Sequence, residues 1–393
     1  MRHLFVCLDG TGNSPGQTDM EYIVRNKSPM STVESNVLKI WCALTGNKEK
    51  YKPADLINNE EYKYYGLVSS LKLGDEYLGE ALYINGVGSQ GDKGKMNFEG
   101  ATGSGTSARI LDAYRFLAER YTSGDRIYLF GFSRGAFSAR SLASFIHHLG
   151  MPKSRRIIPE KELPSLWASY RENRSYNGGL SSSLTGNNSV EIEFLGLWDT
   201  VGSLAFQDTF NKFHQMSPKG IKHVRHALAL DEVRPHFSPM YWNNLNEYGQ
   251  VVKEVWFCGV HSNIGGGYQV AGLSNISYVW MIRELAEASG FPRGLEKVPE
   301  YSAEAYEPAG EMRDSYTEFY GGLKIVLATL KGGMEVRKIT ERQTFHPSVF
   351  EWMKMGWYKP RAILQGGDPV TIDYIKKFLI SAADWPLEGE LFE

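Results

Sequence analysis

One pentapeptide constrains this chain more than any other feature. Gly131-Phe132-Ser133-Arg134-Gly135 reads G-x-S-x-G, and its flanks give it meaning. Before it runs Ile127-Tyr128-Leu129-Phe130, an apolar, β-rich segment that predicts a buried strand. After it, Ala136, Phe137, Ala139, Leu142, Ala143, Phe145, Ile146 and Leu149 recur at helical spacing, and Gly150 and Pro152 supply the stop. A chain that passes so abruptly from strand to helix strains its backbone at the central residue. Only glycine on either side leaves room for the crossing. The turn lifts the Ser133 hydroxyl above the carboxyl edge of a sheet, at a helix N-terminus where the dipole and the Arg134 N–H favour negative charge. Gly131 and Gly135 are then the residues that make the elbow, and Ser133 is a candidate nucleophile. The competing reading is a glycine turn that carries an ordinary serine.

Two further strand ends carry chemistry. Residues 190–198 (VEIEFLGLW) predict a strand that stops at Asp199-Thr200-Val201-Gly202, a carboxylate followed by a glycine turn. Residues 251–260 (VVKEVWFCGV) predict the last strong strand, which runs into His261 and then Ser262-Asn263-Ile264-Gly265-Gly266-Gly267, a loop able to fold over the sheet edge. The chain order Ser133, Asp199, His261, each at the carboxyl end of a strand, is that of the α/β hydrolases. Ser133 would attack an acyl carbonyl, His261 would take its proton and pass one to the leaving alcohol, and Asp199 would hold the imidazole. Residues 3–8 (HLFVCL) predict a central strand, followed by the tight loop Asp9-Gly10-Thr11-Gly12-Asn13. That loop is either a plain turn or the second oxyanion donor, Gly10 or Thr11, beside Arg134. A haloacid-dehalogenase reading fails because Thr11 stands where a second aspartate is required.

Helices are predicted at 31–44, 107–121, 160–170, 276–288 and 370–383, and a strand at 81–85. Residues 221–230 also read as a helix, with His223 and His226 one turn apart as packing or surface residues. Gly86-Val87-Gly88-Ser89-Gln90-Gly91 is a literal G-x-G-x-x-G, but no helix opens on its third glycine, so a dinucleotide reading is rejected. The segments at about 51–80, 86–105 and 173–189 read as insertions. The first, with Tyr62 to Tyr77, is either a lid or a helical connection. The resulting expectation is an α/β-hydrolase fold with a mostly parallel sheet. Residues 1–290 would form the core, and 291–393, with an aromatic run at 345–358, would pack on it or cap it.

With 393 residues and 42% hydrophobic side chains, the chain can build a large core. A formal charge of −2 without basic clusters gives no case for nucleic acid. Cys7, Cys42 and Cys258 are few and scattered, which predicts buried free thiols. The N-terminus reaches Asp9-Gly10 too early for a signal peptide, and no run approaches the length of a membrane span. The expectation is a protein made in the cytoplasm, exported if at all by a non-classical route, with no cofactor and no metal.

Several motifs together resemble one family. GFSRGA after YLF, WDTVG after a strand, HSNIGGGY after WFCGV, LDGTGN at the start and HALALDEVRPHFSP look like the DUF-type α/β hydrolases that include the Tle1-like phospholipase effectors of type VI secretion. The similarity runs from residue 3 to about 290, with a fainter echo in HPSVFEWM (346–353). It implies hydrolysis of phospholipid acyl esters at the sn-1 or sn-2 position by Ser133, Asp199 and His261. It also implies transient membrane contact, a secretion-apparatus partner and an immunity protein. The rivals are an esterase acting on a soluble, non-lipid ester and a non-catalytic binding module on the same fold. Two departures stand out: Asn263 and Asn275 occupy positions where the family usually has aspartate. The chain is also shorter than many effectors of the group, which often carry a membrane-anchoring extension.

Overall fold

A computed structural model describes residues 1–19, 32–46, 66–89, 104–185, 190–202, 218–243, 249–291, 312–313 and 334–380. Its principal strands are β1 (His3–Leu8), β2 (Gly66–Leu73), β3 (Glu76–Ile84), β4 (Arg126–Phe132), β5 (Ile192–Trp198), β6 (Ile221–Ala229) and β7 (Val251–Phe257). Three two-residue strands follow: β8 (Lys338–Ile339), β9 (Thr344–Phe345) and β10 (Ile363–Leu364). The main sheet has the order β2-β3-β1-β4-β5-β6-β7-β9. Every neighbouring pair in it is parallel except β2 and β3, which form an antiparallel pair at one edge. The helices that matter here are α1 (Asn36–Thr45), α2 (Ser104–Arg120), α3 (Arg134–Leu149), α4 (Leu163–Arg171), α5 (His261–Gly265), α6 (Gly272–Ser289), α7 (Pro347–Lys354) and α8 (Ile372–Lys377).

Parallel strands need helical crossovers, and those cover both faces of the sheet, so the strands are apolar on both sides. β1 illustrates this. Phe5 and Cys7 pack on the face covered by α1, α6 and α7. Leu4, Val6 and Leu8 pack on the face covered by α2, α3 and α4. Burying one such large aliphatic or aromatic side chain is worth about 1.5–3 kcal/mol. The continuous run of β1 therefore anchors the fold from both sides.

Several expectations are corrected. Residues 221–230 are strand β6, paired with both β5 and β7, and not a helix. Val224 and Leu228 sit at helical spacing, but the chain takes the place of a doubly covered central strand, where the sheet overrides local pattern. Residues 66–78 belong to the β2–β3 pair and not to a helical connection, while 51–65 lie outside the described residues. In the expected insertion at 86–105, α2 already begins at Ser104, and 90–103 are outside the described residues. In 173–189 the part up to residue 185 forms turns and a short 3-10 helix, Ser181–Ser183, with the rest outside. The long helix expected at 370–383 is limited to α8 among the described residues. No described helix is long and apolar enough to cross a membrane. Gly86 of the rejected fingerprint serves packing, since a Cβ there would stand 1.6 Å from the Gly10 carbonyl oxygen. The segment after residue 334 supplies β9, whose Phe345 pairs with Trp256 at the far edge of the sheet.

Candidate active site

The elbow is built as the glycines demand. Ser133 has φ 57 and ψ −125, a region that L-residues rarely adopt. A Cβ on Gly131 would meet the Gly135 oxygen at 2.5 Å, and one on Gly135 would meet the Leu8 oxygen at 2.1 Å. The Ser133 N–H donates to the Trp198 carbonyl at 3.0 Å, which ties the elbow to the end of β5. Asp199 comes next, also with positive φ, 39°, and fully buried. His261 opens α5 just past β7, not a glycine loop.

His261 and Asp199 meet past the carboxyl ends of β7 and β5, and Ser133 stands past the end of β4, next to Phe132. His261 Nδ1 lies 2.6 Å from Asp199 Oδ2. The imidazole is clamped between the ring of Phe132, the elbow residue before Ser133, at 4.7 Å between centroids, and the edge-on ring of Phe237 at 4.9 Å. His261 Nε2 is buried and has no hydrogen-bond partner among the described residues, so no hydrogen bond joins it to the Ser133 hydroxyl in this state. In resting enzymes the nucleophile–base contact is often open and closes on the substrate.

Residues that sequence reasoning missed surround the histidine. Arg337 donates from Nη1 to Asp199 Oδ1 at 2.8 Å and from Nη2 to Oδ2 at 2.9 Å. The Ala229 N–H adds a bond to Oδ1 at 3.0 Å. Burial alone would raise the Asp199 pKa, but the Arg337 guanidinium and the His261 N–H outweigh it and hold the carboxyl well below the usual range. Buried Glu232 accepts from Nε and Nη2 of Arg234, both at 2.8 Å, and its Oε2 accepts the His261 main-chain N–H at 3.2 Å. Here too the arginine overcomes burial and keeps the carboxyl depressed. For His261, burial lowers the pKa, and Asp199 only partly restores it. No local signal marked Arg337; it is a lone arginine in KGGMEVRKIT.

His226 lies beneath the Asp199 turn. Its Nδ1 faces Glu254 Oε1 at 2.9 Å, and its Nε2 accepts the Thr200 N–H at 3.1 Å. That pattern places the proton on Nδ1 and fixes the residue after Asp199. Its ring nitrogens are thus both engaged, in keeping with the packing role expected for it.

The oxyanion expectation needs one correction. The Gly10 N–H donates to its neighbour's carboxylate, Asp9 Oδ1, at 2.7 Å, so Gly10 does not offer a donor. The Thr11 N–H meets no acceptor among the described residues, and the Thr11 hydroxyl accepts from Arg134 Nε, which latches the β1 loop to the elbow. The Arg134 N–H belongs to the first turn of α3, where amides point out of the helix. Asn263 caps α5, its Oδ1 accepting the Val260 N–H at 3.2 Å, and Asn275 Oδ1 accepts from Lys39 Nζ at 2.8 Å.

Residues 2–284 match the family described as the catalytic domain of Tle1-like phospholipase effectors of type VI secretion. The uncharacterized protein YEL023C of Saccharomyces cerevisiae is 29% identical over 242 residues, which are 55% of this chain and 34% of that protein. The chain thus spans about a third of the length of that relative. An uncharacterized protein from Pseudomonas aeruginosa aligns with a TM-score of 0.42 and 18% identity, over 73% of this chain and 46% of the other. The Tle1 effector solved bound to the VgrG spike of the type VI secretion system aligns with a TM-score of 0.29 and 21% identity, over 68% of this chain and 51% of that one.

Proposed function

The chain belongs to the family of Tle1-like phospholipase effector catalytic domains of type VI secretion, and on that premise we propose that it is a serine hydrolase that cleaves acyl esters of phospholipids. The observation that carries this reading is the His261–Asp199 hydrogen bond of 2.6 Å beside a serine held at φ 57 on a strand–helix elbow. His261 Nε2 takes the Ser133 proton as Oγ bonds to the ester carbonyl carbon. The resulting oxyanion is met by the N–H groups of Arg134 and Thr11. Collapse expels the alcohol, which takes the proton from Nε2, and leaves an acyl-serine. Water, deprotonated by the same nitrogen, then releases the fatty acid. Asp199 fixes the tautomer and the orientation of the ring.

A lipid substrate is favoured over a soluble ester by a surface on the same sheet edge. Trp357 is 55% exposed and Met355 39% exposed, between the exposed Lys354 and Lys359. Tyr358 Oη and the Arg361 N–H bind the Asp231 carboxylate at 2.7 and 2.9 Å, just past the end of β6, and so hold this turn at the rim. Tryptophan flanked by lysine suits a lipid–water interface. The family also brings with it export by the type VI route, a secretion-apparatus partner and an immunity protein.

The test is fatty-acid release from phospholipid vesicles together with fluorophosphonate labelling, in wild type, Ser133→Ala and His261→Ala. We expect labelling and release in wild type, and loss of both in each variant. Labelling with turnover of short soluble esters only would favour the soluble esterase. An unlabelled wild type would favour a binding module.

A further inference from the structure

Two side chains converge on the Asp199 carboxylate, the Arg337 guanidinium and the His261 imidazole. Arg337 Nη2 and His261 Nδ1 share Oδ2, and Arg337 Nη1 takes Oδ1. Arg337 is 4% exposed and Asp199 is fully buried, so water does not screen the pair. A fork of this kind fixes a carboxylate in plane and direction. Arg337 also donates to the Phe237 carbonyl at 2.9 Å, the residue whose ring closes over His261.

The balance of charge matters as much as the geometry. Asp199 bonds the imidazole from the end of β5; Glu232, paired with Arg234, bonds the His261 main-chain N–H from the segment after β6; and Arg337 reaches Asp199 from the segment entering β8. Tyr241 and Glu254 stand behind them, Glu254 already bonded to His226. In an isolated aspartate–histidine couple, protonation of the ring produces a neutral pair. Here the two carboxylates are already matched by two guanidinium groups, so an imidazolium would be an uncompensated charge in a buried site, which is disfavoured.

We propose that Arg337, beyond the segment matched by the family, is a positioning residue of the reaction: it aims the Asp199 carboxylate and cancels its charge, so that His261 stays a neutral base into acidic pH. The proposal rests on the triad reading above. It deepens that reading by adding a fourth member that never touches substrate, and it implies an acyl hydrolase that remains competent in mildly acidic surroundings.

The test uses the full chain. Histidine titration is followed by ¹⁵N NMR in the Ser133→Ala background, and the acidic limb of kcat/KM is measured in the active enzyme, each with Arg337 intact, Arg337→Gln and Arg337→Lys. Arg337→Gln should move both the His261 titration and the acidic limb up by about one pH unit or more, and Arg337→Lys should restore most of the shift. A loss of stability alone would leave both midpoints in place. Coincident midpoints in wild type and Arg337→Gln overturn the proposal. Should Arg337→Gln not fold, Glu232→Gln removes a negative charge from the same cluster and must move His261 downward; an unmoved midpoint there overturns the charge balance equally. Hydrolysis that survives in His261→Ala would overturn the triad reading itself, and with it the reaction role of Arg337, whatever the titration shows.

Discussion

Arg337 grips both carboxylate oxygens of Asp199 from 138 residues further along the chain. Removing one partner of a buried pair leaves the other charge uncompensated, which costs about 3–5 kcal/mol. Asp199→Asn should therefore abolish hydrolysis and also lower the urea midpoint, whereas Ser133→Ala should abolish hydrolysis with little change in stability. The sign of the pH dependence follows from the depressed Asp199 carboxyl. Its stabilising contribution is present above the ordinary carboxylate range and is lost as the pH falls below it. Asp199→Asn should flatten that acid limb of the stability curve.

The elbow glycines make a harder prediction. A methyl on Gly135 overlaps the Leu8 oxygen at 2.1 Å and the Asp9 oxygen at 2.5 Å, both main-chain atoms of the adjoining strand end. Neither can step aside without moving β1. Gly135→Ala should cost about 3 kcal/mol or more and deprive any folded fraction of fluorophosphonate labelling. Wild-type labelling and an unchanged denaturation midpoint would contradict the close approach.

Asp9 is fully encased, with Ser35 Oγ at 2.6 Å, Tyr83 Oη at 2.5 Å and the Gly10 N–H at 2.7 Å on its oxygens. Burial raises its pKa to about 6, and those three hydrogen bonds only partly oppose the rise. A carboxyl raised in the folded state binds its proton more tightly there than in the unfolded chain. Its presence should make stability fall as the pH climbs from about 4 to about 6 and stay level above. Relative to wild type, Asp9→Asn should gain about 2–3 kcal/mol across that window, read from denaturation at a series of pH values. A pH-independent difference would show that Asp9 titrates normally.

Much of this was legible in the sequence, and the exceptions have physical causes. Strand ends β4, β5 and β7 could be read because doubly covered parallel strands are apolar throughout and stop at Gly, Asp or His. β6 could not. IKHVRHALAL spaces Ile221, Val224 and Leu228 as a helix would, and only its neighbours on both sides make it a strand. Gly10 read as an oxyanion donor because loop position is visible in a sequence, whereas the competing carboxylate of Asp9 becomes a competitor only once the backbone turns. Arg337 was invisible for a related reason: its meaning lies in a partner far away along the chain, and the residues beside it say nothing.

Lys39 offers a last measurement. Its ammonium donates to Asn275 Oδ1 at 2.8 Å. Burial lowers its pKa to about 8, against a smaller opposing pull from Glu34. The folded state thus disfavours the charged amine, and stability should rise as the pH climbs from about 8 towards the ordinary lysine value. Asn275→Asp supplies the counter-ion. It should stabilise the protein at pH 7 by about 1–2 kcal/mol and remove the alkaline rise, both measurable by urea denaturation. A destabilised variant would mean that the added carboxylate does not reach the amine.

The recognisable stretch ends at residue 284, yet the last strand of the main sheet, β9, and the guanidinium beneath the acid come from beyond residue 334. An expression boundary drawn where kinship stops would strip the sheet of its rim and leave a buried anion without its counter-charge. The stretch matched by the family and the folded sheet therefore differ in length, and the difference lies in the segment that supplies Arg337 and β9.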